Sequence, residues 1–195
     1  MTKKLFAVVF AAAMVMGSMS VMAEEAGFEE TPIGEEQDIE LDVEDPINGV
    51  ASSIHVAAVY FQPVPMEPAD QAGLSVEEAN MHIEADISAN ENSFGIGVGD
   101  WFPYLTVDYA VTDPDGNVAA EGTFMPMSAS DGPHYGANIL LEEANTYTLT
   151  FTIHSPIENG YLLHTDSETG PGAQEFWAEP IVVNFENWEY VPQEW

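Results

Sequence analysis

Two thioethers, one carboxylate and one imidazole lie within ten residues of each other, at Met125, Met127, Asp131 and His134. Because Met125 and Met127 are two residues apart, an extended strand would place both side chains on one face. The Asp131-Gly-Pro sequence favours a turn that brings His134 back towards the methionines. Thioether and imidazole ligands suit copper, and an added carboxylate broadens the choice to iron or manganese. Taken alone, the stretch is equally compatible with core methionines beside a loop histidine.

A further pair of potential ligands, His82 and Glu84, lies on the most regular alternating segment of the sequence, residues 81–87. Its apolar residues fall on one face and His82, Glu84 and Asp86 on the other, which predicts a half-buried strand. Side chains two apart on a strand are separated by about 6 to 7 Å along its axis, so one ion could contact both. The alternative is an ordinary polar outer face. A metal site is favoured because histidine is scarce, with five in the chain, and His82 lies near a carboxylate.

Short segments rich in β-branched and aromatic residues, separated by turn residues, must position these ligands. They predict strands at 54–62, 81–87, 103–112, 118–127, 137–141, 145–154 and 176–185. No stretch shows convincing helical periodicity. The sequence therefore predicts an all-β fold, an immunoglobulin-like antiparallel β-sandwich.

Two segments precede the predicted metal-binding domain at 46–195. Residues 1–23 combine a basic start, an apolar run and a small-residue exit at Ala23, which predicts a cleavable signal peptide. Residues 24–45 are dense in carboxylates and interrupted by prolines, which predicts a flexible acidic leader. The absence of cysteine excludes disulfides and a lipoprotein anchor. We therefore expect a soluble protein that is periplasmic or otherwise exported, with no membrane insertion after cleavage.

The charge of the chain is strongly one-sided. It has 34 Asp and Glu against two basic residues, Lys3 and Lys4, for a formal charge of −32, and loss of the predicted signal peptide would leave −34. Such a surface repels nucleic acid and anionic lipid and attracts metal ions or basic proteins. The alternative is that the charge serves solubility alone. Without Lys or Arg to pair with carboxylates, we expect stability to rise with added salt.

The segments that carry these residues resemble, in order, those of the periplasmic iron-transport protein family. The matching segments are VAAVYFQP at 56–63, MEP at 66–68, MHIEADI at 81–87, PYLT at 103–106, MPM at 125–127, SDGPHYGAN at 130–138 and HTDSETG at 164–170. They cover nearly the whole predicted domain, and a series in this order is more specific than any single motif. The chain departs from the family pattern in its lack of basic residues and its long acidic leader.

The resemblance implies an immunoglobulin-like homodimer with a metal site near the subunit interface. By motif, the implied ligands are His82, Glu84, Met127, His134 and, from the partner subunit, the residue corresponding to His164. It also implies iron and/or copper as the bound ion and an inner-membrane iron permease as the partner that receives it. Within the matched motifs, Asp131 is assigned to turn geometry and Met125 to packing, and His55 and His154 match no ligand position.

The leading functional hypothesis is an exported metal-binding protein that captures iron, at a site also suited to copper, and supports high-affinity uptake through the permease. No catalytic residue is predicted, and the protein is not expected to be an enzyme. One alternative is a copper or iron redox enzyme that acts on iron for the permease. Another is an acidic cell-surface interaction domain, although five potential ligands at motif spacing argue against it.

Overall fold

The computed structural model describes residues 29–44 and 49–195, so the predicted signal peptide at 1–23 lies outside the described residues. The strands in the described part are β1 (Thr31–Pro32), β2 (Gln37–Glu44), β3 (Ala51–Phe61), β4 (Met81–Ala89), β5 (Thr106–Thr112), β6 (Val118–Thr123), β7 (Met125–Ser128), β8 (Pro133–Ile139), β9 (Asn145–His154) and β10 (Ile181–Tyr190). A short 3-10 helix spans Pro156–Asn159. Across these same ranges, no helix is long and apolar enough to traverse a bilayer.

The strands pair into two antiparallel sheets. One has six strands in the order β1-β3-β4-β8-β7, with β2 also paired to β3, and the other has four in the order β10-β9-β5-β6. The runs β3-β4-β8-β7 and β10-β9-β5 reproduce the A-B-E-D and G-F-C strand orders of an immunoglobulin sandwich. The predicted all-β, immunoglobulin-like antiparallel β-sandwich is therefore confirmed.

The hydrophobic core lies between the two sheets and follows the alternation of the strands. On β3 every second residue from Ile54 to Tyr60 is buried, and on β9 every second residue from Tyr147 to Ile153. Because successive side chains on a strand point to opposite faces, this pattern directs one face of each sheet inwards. The other faces are free to carry polar residues.

Strand β4 is buried on both faces over its first five residues. Met81 and Ile83 point into the core, while His82 and Glu84 are buried on the opposite, outer face. The connection at 62–80 packs against this end of the sheet, where its Gly73 bridges to Asn138 of β8. The outer face around His82 is therefore enclosed.

The prediction of one strand at 118–127 is wrong, because this segment forms two strands in different sheets. β6 pairs with β5 in the four-stranded sheet, whereas β7 pairs with β8 in the six-stranded sheet. The chain changes sheets at Phe124, whose buried ring packs edge-on against Phe151 and whose backbone N–H donates to the Val107 carbonyl. This change of sheet brings Met127 opposite His134.

Three other predicted strand boundaries are also wrong. β8 begins at Pro133 rather than at residue 137, so His134 lies within a strand and not in the turn before it. β5 begins after Tyr104, whose φ of 63° is incompatible with an extended strand. β10 begins after Pro180, which lacks the N–H that a ladder needs, so Phe176 is buried from a loop instead.

Part of the predicted flexible leader at 24–45 is in fact ordered in the six-stranded sheet. β1 and β2 both pair with β3, with Thr31 opposite Tyr60 and Gln37 opposite Val56. The physical reason is a period-two pattern in which Leu41 is buried and its acidic neighbours are exposed. The carboxylate density of this segment therefore reflects one solvated strand face rather than a lack of structure.

Candidate metal centre

Three buried side chains with metal-ligand chemistry converge on the outer face of the six-stranded sheet. They are His82 and Glu84 of β4 and His134 of β8, and one donor atom from each lies within 4.8 Å of the others. Glu84 Oε1 is 3.1 Å from His134 Nε2 and 3.7 Å from His82 Nε2. Neither Nε2 atom has a hydrogen-bond partner. Since buried polar atoms are normally paired, two such nitrogens facing one carboxyl group indicate a site that a cation completes.

The tautomer of His82 follows from its contact with Asn138, its cross-strand neighbour. Asn138 Nδ2 donates to the carbonyls of Val64 and Leu74, while its Oδ1 accepts the Val64 N–H. His82 Nδ1 lies 3.0 Å from the same Oδ1 and must therefore donate to it. This leaves the lone pair on Nε2, the nitrogen that faces Glu84. Burial lowers the pKa of His82 to about 4, so the ring is neutral at pH 7.

In His134 too, the lone pair lies on Nε2, although a different contact engages the other ring nitrogen. Its ring is hydrogen-bonded to the Gly132 backbone, and because Nε2 is unpaired, Nδ1 makes this bond. Burial lowers the pKa of His134, and the opposing influences of Asp131 and the Gly132 bond are smaller. Both imidazoles are therefore neutral donors, which is the form in which histidine binds metals.

Glu84 is the one carboxyl group among the three convergent side chains. Burial, and then repulsion from Asp86, Glu30 and Asp131, raises its pKa to about 8. The metal-free centre at pH 7 therefore holds two neutral imidazoles and a protonated carboxyl group. A cation that displaces this proton would restore the carboxylate and provide the attraction that the metal-free site lacks.

The acidic groups that act on Glu84 come from three separate elements. Glu30 precedes β1, Asp86 belongs to β4, and Asp131 lies in the turn between β7 and β8. Glu30 is hydrogen-bonded to the side chain of Asp131, and its own pKa is raised, mainly by burial. Burial and these neighbours also raise the pKa of Asp86 to about 6. The field around the centre is therefore strongly negative and favours a cation.

Gly136 provides the space for the imidazole of His82. It lies on β8 between Glu84 of β4 and Met125 of β7. A Cβ at this position would be 2.7 Å from His82 Nε2, which is closer than real contacts allow, and 3.0 Å from the Ile83 carbonyl oxygen, which is tighter than most real contacts. A glycine inside a strand often marks such a close approach.

The structure places Met127 beside the three convergent residues. It is the cross-strand partner of His134, so both side chains lie on the outer face of the sheet. Met125 is opposite Gly136 on the same face and is half-buried against the core. Both methionines therefore border the centre from β7.

His164, the fifth predicted ligand, lies apart from this group in the described chain. It is exposed, in a loop where its Nδ1 is 3.0 Å from Thr169 Oγ1. The loop is tightly wound, since Gly170 N–H donates to the Asp166 carbonyl and a Cβ at Gly170 would be 2.5 Å from the His164 carbonyl oxygen. His164 is thus held at the surface with Nε2 as the nitrogen available to an external ion.

The two remaining histidines are each bracketed by carboxylates. His55 lies 2.9 Å from Asp38 and 3.2 Å from Glu36, and His154 lies 3.1 Å from Asp108 with Glu158 at 3.3 Å from its other nitrogen. Both ring nitrogens of each are therefore engaged by anions. This agrees with their exclusion from the predicted ligand set.

Sequence reasoning missed Asn138, Gly136 and Glu30. Asn138 and Gly136 follow His134 at spacings of four and two, so the period of β8 could have placed all three on one face. Glu30 had no comparable signal, because it lies in a segment that the sequence predicts to be flexible.

Comparison with known proteins identifies relatives that cover most of this chain. The 34 kDa membrane antigen of Treponema pallidum is 43% identical over 173 residues, which are 87% of this chain and 78% of that protein. A copper-bound variant of FetP from uropathogenic Escherichia coli strain F11 superposes with a TM-score of 0.72 at 42% identity, covering 85% of this chain and 100% of the FetP chain. A copper-bound variant of the Campylobacter jejuni protein P19 gives a TM-score of 0.70 at 38% identity, with coverage of 85% and 100%.

A family model agrees with these relatives and with the fold. The model described as Fe2+ transport protein matches residues 27–192, which include the whole described sandwich through β10. The resemblance seen in the sequence motifs is thereby confirmed. This chain belongs to the Fe2+ transport protein family.

Proposed function

We propose that this protein captures a metal ion, iron and also copper, at a centre built from His82, Glu84, Met127 and His134. The observation that carries the proposal is the convergence of two buried, unpaired imidazole nitrogens on the Glu84 carboxyl group. Such an arrangement is costly without a cation, because buried polar atoms lose their water partners and gain none. A bound cation would satisfy all three groups at once.

The donor types support both metals. Imidazole and thioether are ligands that copper favours, and a carboxylate makes the set acceptable to iron. The two structural relatives described above are copper-bound, and the family is described by Fe2+ transport. We propose iron as the ion that is transported and copper as an ion that the same donors accept.

A homodimer would supply the fifth ligand. We propose that His164 of the partner subunit completes the centre, because the loop leaves this imidazole exposed, with its Nδ1 3.0 Å from Thr169 Oγ1, and away from its own subunit's three convergent residues. If the metal centre spans two subunits, metal binding and dimer formation strengthen each other.

The proposal further places the protein outside the inner membrane and beside an iron permease. Its support is the predicted signal peptide at 1–23 and the transport description of the family. The proposed activity is capture and delivery and includes no catalytic step.

Metal titration of the purified protein tests the centre. We expect the wild type to bind Cu(II), and Fe(II) under anaerobic conditions, and His134→Ala and Met127→Leu to bind both more weakly. Removing a direct ligand such as His134 should lower the metal affinity by more than the roughly 10–100-fold that is typical when a residue hydrogen-bonded to a ligand is removed. His154→Ala is the matched control, because its imidazole is engaged by Asp108 and Glu158 away from the centre. Equal affinity of wild type and His134→Ala would overturn the proposal.

Sedimentation and uptake test the remaining parts. We expect metal to stabilise the wild-type dimer but not the dimer of His164→Ala. In cells that depend on the permease, we expect iron uptake to require the protein and to fall in His134→Ala. If metal does not change the sedimentation of either protein, the proposal that the two subunits share a metal centre is wrong. If iron uptake is the same with His134→Ala as with the wild type, the proposed role in iron delivery is wrong.

A further inference from the structure

The loop that carries His164 contains a short chain of hydrogen bonds that ends at a carboxylate. Thr169 Oγ1 donates to Asp166 Oδ2 at a distance of 2.6 Å, and the same Oγ1 lies 3.0 Å from His164 Nδ1. A threonine hydroxyl has one hydrogen, and because Asp166 takes it, Thr169 Oγ1 offers only lone pairs to the imidazole. His164 Nδ1 must therefore donate to Thr169, which leaves the imidazole lone pair on Nε2.

The backbone of the same loop holds the carboxylate in place. Asp166 Oδ1 accepts the backbone N–H groups of Glu168 at 3.0 Å and Thr169 at 2.9 Å, and Gly170 N–H donates to the Asp166 carbonyl. A Cβ at Gly170 would be 2.5 Å from the His164 carbonyl oxygen and 2.6 Å from the Asp166 carbonyl oxygen, so a larger residue would force the turn to open. Asp166 therefore uses Oδ1 for the turn and Oδ2 for the hydrogen-bond chain.

All three histidines of the proposed metal centre share the protonated Nδ1. His82 Nδ1 donates to Asn138, His134 Nδ1 bonds to the backbone, and His164 Nδ1 donates to a hydroxyl that a carboxylate engages. The two histidines outside the centre lack this arrangement, because both of their ring nitrogens face carboxylates. A hydrogen bond from one ring nitrogen is the usual way in which proteins orient a histidine that binds metal through the other.

We propose that Asp166 and Thr169 are positioning residues that prepare His164 to bind the partner subunit's metal ion through Nε2. This assignment rests on the proposed function, in which His164 completes a shared centre, and extends it to residues that bind no metal themselves. A bond to an ionised acceptor is shorter and stronger than a neutral one, so Asp166 holds the Thr169 hydroxyl in the accepting orientation. With Nδ1 already protonated and the ring oriented, less ordering remains for the ion to impose.

The tautomer of His164 can be measured without metal, by nitrogen NMR of isotope-labelled histidine above the imidazole range near 6.5. We expect the wild type to carry the proton on Nδ1. Asp166→Asn keeps one oxygen for the turn, but its amide would donate to Thr169 Oγ1 and free the hydroxyl hydrogen for His164 Nδ1. The imidazole proton should then move to Nε2. An unchanged tautomer in Asp166→Asn would overturn the proposal.

Thr169→Val removes the hydroxyl, and we expect the proton of His164 to divide between the two ring nitrogens. Thr169→Ser should restore the wild-type tautomer, because serine supplies the same donor and acceptor. Thr165→Val is the matched control, since it removes an exposed hydroxyl from the same loop but not from the hydrogen-bond chain. If Thr165→Val altered the tautomer as much as Thr169→Val, a general disturbance of the loop would explain both and the proposal would be wrong.

Titration with Cu(II) measures the effect on binding. We expect Thr169→Val to lower the affinity of the dimer roughly 10–100-fold, and Thr169→Ser to recover it. In the His164→Ala background, Thr169→Val should have no further effect, because no imidazole remains to be positioned. Wild-type affinity in Thr169→Val, with His164→Ala weakened, would overturn the positioning role alone. Wild-type affinity in His164→Ala would overturn the shared centre, and the positioning role with it.

Discussion

At the scale of single residues, the metal-free centre should differ from a metal-bound one in whether Glu84 carries a proton. Burial lowers the pKa of both His82 and His134, so at pH 7 metal ions meet imidazoles that have already lost their protons. The proton that competes with the metal resides on Glu84, whose pKa is about 8. The affinity should therefore depend on pH through the carboxyl group, above the ordinary imidazole range near 6.5.

We predict that metal binding at pH 7 releases about one proton per centre, since a group with a pKa near 8 is mostly protonated there. Calorimetric titration in buffers of different ionisation enthalpy measures the number directly. Glu84→Gln should still bind metal, more weakly, and release almost none. Release of the same proton by Glu84→Gln would show that another group carries it.

The stability of the metal-free protein should depend on pH through the same residues. Glu84 holds its proton more tightly when folded, so its contribution falls as pH rises from about 4.5 to about 8. His82 holds its proton less tightly when folded, so its contribution rises between about 4 and 6.5. The two effects oppose each other up to about pH 6.5, and above it the loss from Glu84 is the larger effect.

We therefore predict that the free energy of unfolding of the metal-free protein falls between pH 6.5 and 8, by at most about 1.4 kcal/mol per pH unit. Urea denaturation in the presence of a chelator measures this slope. Glu84→Gln removes the titrating group and should flatten it. A slope that persists in this variant would assign the effect to other carboxyl groups.

At the scale of elements, the alternation of residues 81–87 was sufficient to predict β4 and to place His82 and Glu84 on one face. The sequence could not show that this face is buried, because its cover is the irregular connection at 62–80, and no local pattern predicts that Gly73 of this connection bridges to Asn138 of β8. Nor did period two reveal that the chain changes sheets at Phe124, since β6 and β7 continue the same extended backbone. The local alternation of residues determines which side chains share one face of a strand, whereas long-range packing determines which segment covers that face.

Asn138 joins the connection at 62–80 to the centre, and we predict that Asn138→Ala lowers metal affinity by about 10–100-fold. The variant loses both the acceptor that orients His82 and the bonds to Val64 and Leu74. Metal titration gives the affinity, and hydrogen exchange in the connection reports its release.

Asn80→Ala is the matched control for this prediction. Asn80 lies at the other end of the same connection and is bonded to the backbone of Leu141 in both directions, away from the imidazoles. It should increase hydrogen exchange without changing metal affinity. Equal losses of affinity in both variants would mean that packing of the connection, and not the orientation of His82, is what matters.

At the scale of the whole molecule, every close contact between a basic and an acidic side chain within residues 29–44 and 49–195 involves histidine. No lysine or arginine occurs beyond Lys4, so nothing else in the predicted mature chain can neutralise its carboxylates. Mutual repulsion among them should oppose folding, as it does for any protein far from neutrality.

We predict that the melting temperature of the metal-free protein at pH 7 rises with NaCl. Between about 0.01 M and 1 M salt, the Debye length falls from about 30 Å to about 3 Å, which screens most pairs of surface carboxylates. Differential scanning calorimetry measures the change, and potassium in place of sodium serves as a control for specific ion binding. A melting temperature that does not change with salt would contradict the prediction.

The pairing of β4 with β8 has one more consequence. His82 and His134 are far apart in sequence, and only this pairing brings their nitrogens to one point. An unfolded chain offers no equivalent set of donors, so an ion held at the proposed centre would favour the folded protein and, without affinity for the unfolded chain, would stabilise it by about 2.7 kcal/mol at a concentration 100 times its dissociation constant. In the proposed carrier, metal loading would therefore require completed folding, because the donors come together only when the sheet has assembled.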